Sequence, residues 1–157
     1  MPVAADTISW AAKNVVGPKD EVVLVTVVDN ALRQQLTTGA GRTVPNTNGL
    51  TCEADPETLE YSQKFLAKIK EEILAKEGVK ATQVQTETLV SCVGNSHDIG
   101  KVISEYASDK GINSVVVGAR GLGAFKRTML GLLGLGSVSQ YVVAHAPCNV
   151  IVHKMEQ

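Results

Sequence analysis

Two rhythms of hydrophobic residues alternate along this chain, helical stripes and short continuous runs, and together they predict its elements. From Thr7 to Val16, Ile8, Ala11, Ala12, Val15 and Val16 share one helix face, and Gly17-Pro18 stops it. Glu21 to Asp29 is a nearly unbroken run of Val, Leu and Thr bounded by charges. Such a run marks a strand buried on both faces, hence a parallel sheet. Asp55-Pro56 opens the next helix, an N-cap with proline in the first turn, and Gly78 ends it. Its stripe is Leu59, Phe65, Leu66, Ile69 and Ile73, with Glu60/Lys64 and Glu72/Lys76 as i,i+4 pairs on the wet side. Val79 to Val90, rich in Val and Thr, reads as a strand near a sheet edge. Ser96 then reads as a cap, with Ile99, Val102, Ile103, Tyr106 and Ala107 facing inward behind it. Ser114 to Val117 predicts a short buried strand, Ser137 caps a helix through Ala144, and Asn149 to His153 supplies the last strand.

Strands that alternate with helices imply a doubly wound α/β sandwich with right-handed crossovers. The polar, turn-rich stretch 30–55 interrupts the pattern and is expected to be a lid or a loose connection. A second interruption carries more chemistry. Gly118, Gly121, Gly123, Gly131, Gly134 and Gly136 fall within nineteen residues, between a strand and a helix. Strand, glycine-rich loop, then helix is the usual construction of a phosphate cradle. Glycine lets backbone N–H groups approach closely, and a helix N-terminus adds free donors and partial positive charge. Arg120, Lys126 and Arg127 bring cations suited to a polyphosphate, although a plain glycine-rich surface loop has the same composition.

The residues around that loop narrow the choice. Val116-Val117-Gly118-Ala119-Arg120-Gly121-Leu122-Gly123, Gly136-Ser137-Val138-Ser139 and His145-Ala146-Pro147-Cys148-Asn149-Val150-Ile151-Val152 closely resemble the C-terminal half of the universal stress protein family. Ala4 to Ala12 and Gly94-Asn95-Ser96 extend the likeness over nearly the whole chain, read as one domain over 1–157. Nucleotide-binding members carry Gly, two residues, Gly, nine residues, then Gly followed by Ser or Thr. Gly118, Gly121 and Gly131 keep that spacing, but Leu132 follows Gly131, and the Gly-Ser pair arrives five residues late at Gly136-Ser137. An insertion within Leu132 to Gly136 accounts for the delay and costs a few tenths of a kcal/mol in loop closure, on the order of the logarithmic length term.

What the resemblance implies is a Rossmann-like, adenine nucleotide alpha hydrolase-like sandwich around a five-stranded parallel sheet. It implies ATP, with or without Mg2+, bound in a homodimer that pairs through the last strand, Asn149 to His153. Val27 or Val28 would line the adenine, and Gly118, Gly121, Gly136 and Ser137 would hold ribose and phosphates. Val138 would lie beside them, Arg120 would approach a phosphate, and Gly131 competes with Gly136 for its role. One family element is missing: the first strand, ending in an Asp that contacts the nucleotide, has only Met1 to Val3 in its place. The expectation is therefore a sequence truncated at its start, the other choice being strands that pair differently. Asp6 sits inside the first helix and does not replace that Asp.

Composition excludes several other classes. Fifteen basic against sixteen acidic residues, net charge −1, give no electrostatic footprint for nucleic acid, and aromatics at 4% leave few stacking platforms. Cys52, Cys92 and Cys148, widely spaced and odd in number, argue against a disulfide framework and for a reducing, cytoplasmic setting. Thr128 to Val152 holds no formally charged residue and is long enough to span a bilayer, but its Ser, Gln, His, Pro and Asn residues fit a buried helix and strand better. No nucleophile–base pair, P-loop lysine or metal-ligand spacing stands out, and Cys148 reads as a buried residue at a strand entry. At most slow ATP hydrolysis is expected, with no catalytic residues and no metal site. Two functions remain: a small ATP-binding stress-response switch, or a dimeric interaction module of the same fold that binds no nucleotide.

Overall fold

The structure is a computed structural model, and it describes residues 2–29, 54–92, 95–119 and 136–154. Helix α1 (Pro2–Asn14) leads to strand β1 (Val22–Asp29), and helix α2 (Pro56–Ile69) continues into a π-helical turn at Lys70–Leu74. A 3-10 turn (Ala81–Gln83) precedes β2 (Val84–Ser91). Then come α3 (Ser96–Asp109), β3 (Ser114–Gly118), α4 (Ser137–His145) and β4 (Asn149–His153). The order is the alternation that the hydrophobic pattern predicts. Its first helix begins five residues earlier than the apolar stripe suggests, at Pro2 rather than Thr7.

Local chemistry explains most of the boundaries. Asp55 caps α2 as expected, its carboxylate accepting from the Thr58 amide at 3.3 Å with Pro56 behind it. Gly78 and Gly111 sit at φ 80° and 62°, the left-handed conformation that stops a helix and that a Cβ would penalise. Behind them, Val79 donates to the Leu74 carbonyl and Ile112 to that of Ala107. The cap of α3 is Asn95, not Ser96: the Asn95 side chain accepts from the Asp98 amide at 2.7 Å, and Ser96 is the first helical residue. Glu60 and Lys64 pair at 2.6 Å as the sequence suggests, whereas Glu72 lies 4.0 Å from Lys68, one turn back rather than one turn forward.

Side-chain parity shows how the layers stack. In a strand, successive side chains point to opposite faces. Leu24 and Val84 join Ala12 of α1 with Leu66 and Ile69 of α2 in the buried core, and Thr88 bonds to Ser62 of α2. On the other parity of β2, Ser91 donates to Asp98 of α3, and Glu87 faces Tyr106. The Tyr106 hydroxyl is held above its ordinary pKa, first by desolvation and then by the Glu87 charge. Helices α1 and α2 thus cover one face of the β1–β2 pair and α3 the other, which is double winding.

The sheet itself is divided. β1 pairs in parallel with β2 from Val22↔Val84 to Asp29↔Ser91, and β3 with β4 from Ser114↔Asn149 to Gly118↔His153. Among the described residues these are two two-stranded sheets, in place of the five-stranded one that the resemblance implies. Among the described residues the strands do not re-pair across the break. The consequence shows in burial. Over residues 22–28 of β1, Leu24 is buried and the other side chains are half-buried, so the strand is less enclosed than its apolar run suggests. Helix α1 spans the division: it contributes to the core beside Leu24 and also touches β3. Its Trp10 ring stacks on His153 at 4.7 Å, and Thr7 Oγ1 lies 3.2 Å from His153 Nδ1.

On the far face α3 and α4 pack closely, with Gly100 of α3 against Tyr141 of α4. A Cβ at Gly100 would stand 2.7 Å from the Tyr141 Cβ, on a part of the side chain that cannot swing away. Gly100→Ala gains about 1 kcal/mol of helix propensity but forces an overpacked contact that costs ~1–3 kcal/mol. The variant is expected to be less stable in urea unfolding. A Gly100→Ala protein as stable as the parent would contradict this packing.

Candidate functional site

In an open α/β sheet ligands bind beyond the carboxyl ends of the strands, where the winding reverses. Here the chain leaves β1 over the α2 face to reach β2, then returns over the α3 face to β3, so the reversal falls at the division between β1 and β3. The carboxyl end of β3 is Gly118, and beside it stands the start of α4.

Two hydrogen bonds join that strand end to the helix. The Gly136 amide donates to the Ala119 carbonyl at 2.6 Å, and the Ser139 hydroxyl donates to the Gly118 carbonyl at 2.7 Å. Gly136, in extended conformation at φ −69° and ψ 159°, is the N-cap of α4, and its carbonyl accepts the first helical bond from Gln140. Ser137 is therefore the first helical residue and not the cap, and it makes no capping bond. That corrects the reading of Ser137 as a cap. The one-residue shift leaves the amides of Ser137 and Val138 at the open end of the helix, where no intrahelical acceptor exists. Among the described residues they take no hydrogen-bond partner. Unmatched amides at the positive end of a helix dipole are chemically suited to an anion.

The expected site residues divide accordingly. Gly118, Gly136, Ser137 and Val138 come together at the junction of β3 and α4. Val27 and Val28 are half-buried at the carboxyl end of β1, opposite Leu89 and Val90, and so belong to the other strand pair. Arg120, Gly121 and Gly131 lie outside the described residues, as do Lys126, Arg127 and all of the expected lid except Ala54 and Asp55. Ser139, buried at 3% exposure, is the residue that the sequence reading passes over. In a Ser-Val-Ser triplet nothing marks which hydroxyl turns inward.

The cysteines need two corrections. Cys148 is free and half-buried rather than buried, and Cys92, just past β2, is disulfide-bonded. Spacing along a chain does not report proximity in space, so an odd count without a CxxC pair could not exclude a bridge. Among the described residues no helix is long and apolar enough to cross a membrane; part of the uncharged stretch 128–152 is divided between α4 and β4.

The comparisons with known proteins agree with this geometry. The model of the universal stress protein family matches residues 2–154. The chain belongs to the universal stress protein family. A putative universal stress protein of Staphylococcus haemolyticus, SH1215, is 30% identical over 106 residues, a match that spans 66% of this chain and 57% of that relative's length. Among solved structures, hypothetical protein MJ0577, the subject of a structure-based assignment of biochemical function, superposes with a TM-score of 0.64. That alignment covers 99% of this chain and 90% of the other at 19% identity, which shows that the two chains share a fold.

Proposed function

We propose that this universal stress protein is an ATP-binding stress-response protein that works as a dimeric, nucleotide-dependent switch. The observation that carries the reading is the start of α4: unmatched Ser137 and Val138 amides, tied by Gly136 to the end of β3 at the reversal of the winding. Phosphates would bind there, with Gly136 free of a Cβ at the approach and the Ser137 hydroxyl as a further donor. Val27 and Val28 would flank the adenine from β1. Gly136 sits in a conformation open to any residue, so its value lies in close approach by a ligand rather than in backbone freedom. Homodimerisation would use β4, whose outer edge has no strand partner among the described residues. A cytoplasmic setting has lost its support from the cysteine pattern, because Cys92 is bridged. No catalytic role is proposed.

The second reading is a dimeric interaction module of the same fold without nucleotide. The divided sheet favours it, since no strand among the described residues stands between β1 and β3 to bring a carboxylate to the site.

Calorimetric titration with ATP separates the two readings. The parent protein is expected to bind, Ser137→Ala to bind several-fold more weakly through loss of ~1 kcal/mol or more of charge-assisted hydrogen bonding, and Gly136→Val not to bind. Gly131→Ala is expected to change little. A parent that binds no ATP supports the interaction module, and a damaging Gly131→Ala beside a normal Ser137→Ala would move the phosphate site to Gly131.

The dimer has its own test. Ile151 sits mid-strand in β4, opposite Val116. Ile151→Lys is expected to give monomer or aggregate in sedimentation, and an unaltered dimer would place the interface elsewhere.

A further inference from the structure

We infer that Ser139 is a positioning residue of the nucleotide site, one whose hydroxyl fixes the phosphate-facing amides of α4 without itself touching the nucleotide; the inference rests on the ATP reading above. Ser139 is the third helical residue of α4. In a capping box a Glu or Gln at that position reaches back to the amide of its own N-cap. Here Ser139 does not. The N-cap amide, that of Gly136, is given to the Ala119 carbonyl, and the Ser139 hydroxyl is given to the Gly118 carbonyl. Two consecutive carbonyls at the end of β3 each receive one donor from the first turn of α4, a clamp at 2.6 and 2.7 Å.

The clamp has two consequences. It commits the Gly136 amide, so the amides left at the helix start for a phosphate are those of Ser137, Val138 and Ser139. It also anchors the helix start to the strand end directly, so the number of residues between Ala119 and Gly136 does not set where those amides stand. That explains how a Gly-Ser pair displaced by five positions from the family spacing can still open the helix at the strand end. With Ser139 at 3% exposure, water cannot take over the task of its hydroxyl. An alanine there leaves one clamp point in place of two, and the amides lose their fixed direction.

A clamp on phosphate donors predicts a loss confined to phosphate-bearing ligands. Binding of ATP and of adenosine is measured by calorimetry on the parent and on Ser139→Ala, Ser139→Cys and Ser139→Thr, with thermal melts of each. Ser139→Ala is expected to weaken ATP about five- to tenfold, the loss of one ~1 kcal/mol hydrogen bond or slightly more, and to leave adenosine unchanged. Ser139→Thr, which keeps the hydroxyl, is expected to restore ATP affinity to within about twofold of the parent, by the same hydrogen-bond argument. Ser139→Cys, of similar size but a weak donor, is expected to follow alanine, and it replaces alanine in the comparison should that variant not fold. Equal weakening of ATP and adenosine would make Ser139 merely structural and overturn the inference, as would parental ATP affinity in both Ser139→Ala and Ser139→Cys. A parent that binds no ATP overturns the nucleotide reading and this inference together, whereas either of the other failures leaves that reading standing.

Discussion

Each strand of a parallel sheet must satisfy hydrogen-bonding groups along both of its edges, and the rest of this structure depends on how far that is met. Among the described residues β1 has one strand neighbour and β3 has one. An unpaired strand edge carries donors and acceptors whose loss from the ladder is worth net ~1 kcal/mol each, a serious charge against a domain stability of ~5–15 kcal/mol. The two pairs are therefore held as a unit by what packs on them. Helix α1 belongs to the core beside Leu24, touches β3, and closes on β4 through Trp10, Thr7 and His153. On the opposite face α3 reaches from β2 to α4, seated where Gly100 lets Tyr141 approach.

The same division locates the candidate site. Winding reverses at that point, so the ends of β1 and β3 are free to receive a ligand instead of a crossover. What distinguishes the two ends is their chemistry. The β1 end offers apolar Val27 and Val28, and the β3 end offers amide donors held by the Gly136 and Ser139 bonds. In the proposed ATP site the apolar residues would suit the flat, weakly polar base and the amide donors the anionic tail.

Much of this was legible in the sequence, and the failures share physical causes. Apolar β-branched runs identified β1, β3 and β4, and a Val- and Thr-rich stretch identified β2, because burial dictates residue type over whole elements. Two caps were misplaced by one residue, Ser96 for Asn95 and Ser137 for Gly136, because adjacent residues can each serve as cap and only backbone geometry chooses between them, whereas Asp55 was read correctly. The π-helical turn at Lys70–Leu74 left no mark on the apolar stripe, since its ends still present Ile69 and Leu74 to the core. The bridge at Cys92 and the inward turn of Ser139 depend on partners distant along the chain, which periodicity does not encode. The fold was legible because it rests on patterns; the clamp at the site was not, because it rests on two single hydrogen bonds.

Amide hydrogen exchange along β1 and β3, read residue by residue, tests the divided sheet most directly. In a strand paired on one side only, amides that point to the partner are protected and alternate with amides that exchange freely. The account predicts that alternation in β1 from Val22 to Asp29 and in β3 from Ser114 to Gly118, with slow amides aimed at β2 and β4. Unbroken protection along both strands would mean that another segment pairs between them, and would contradict it.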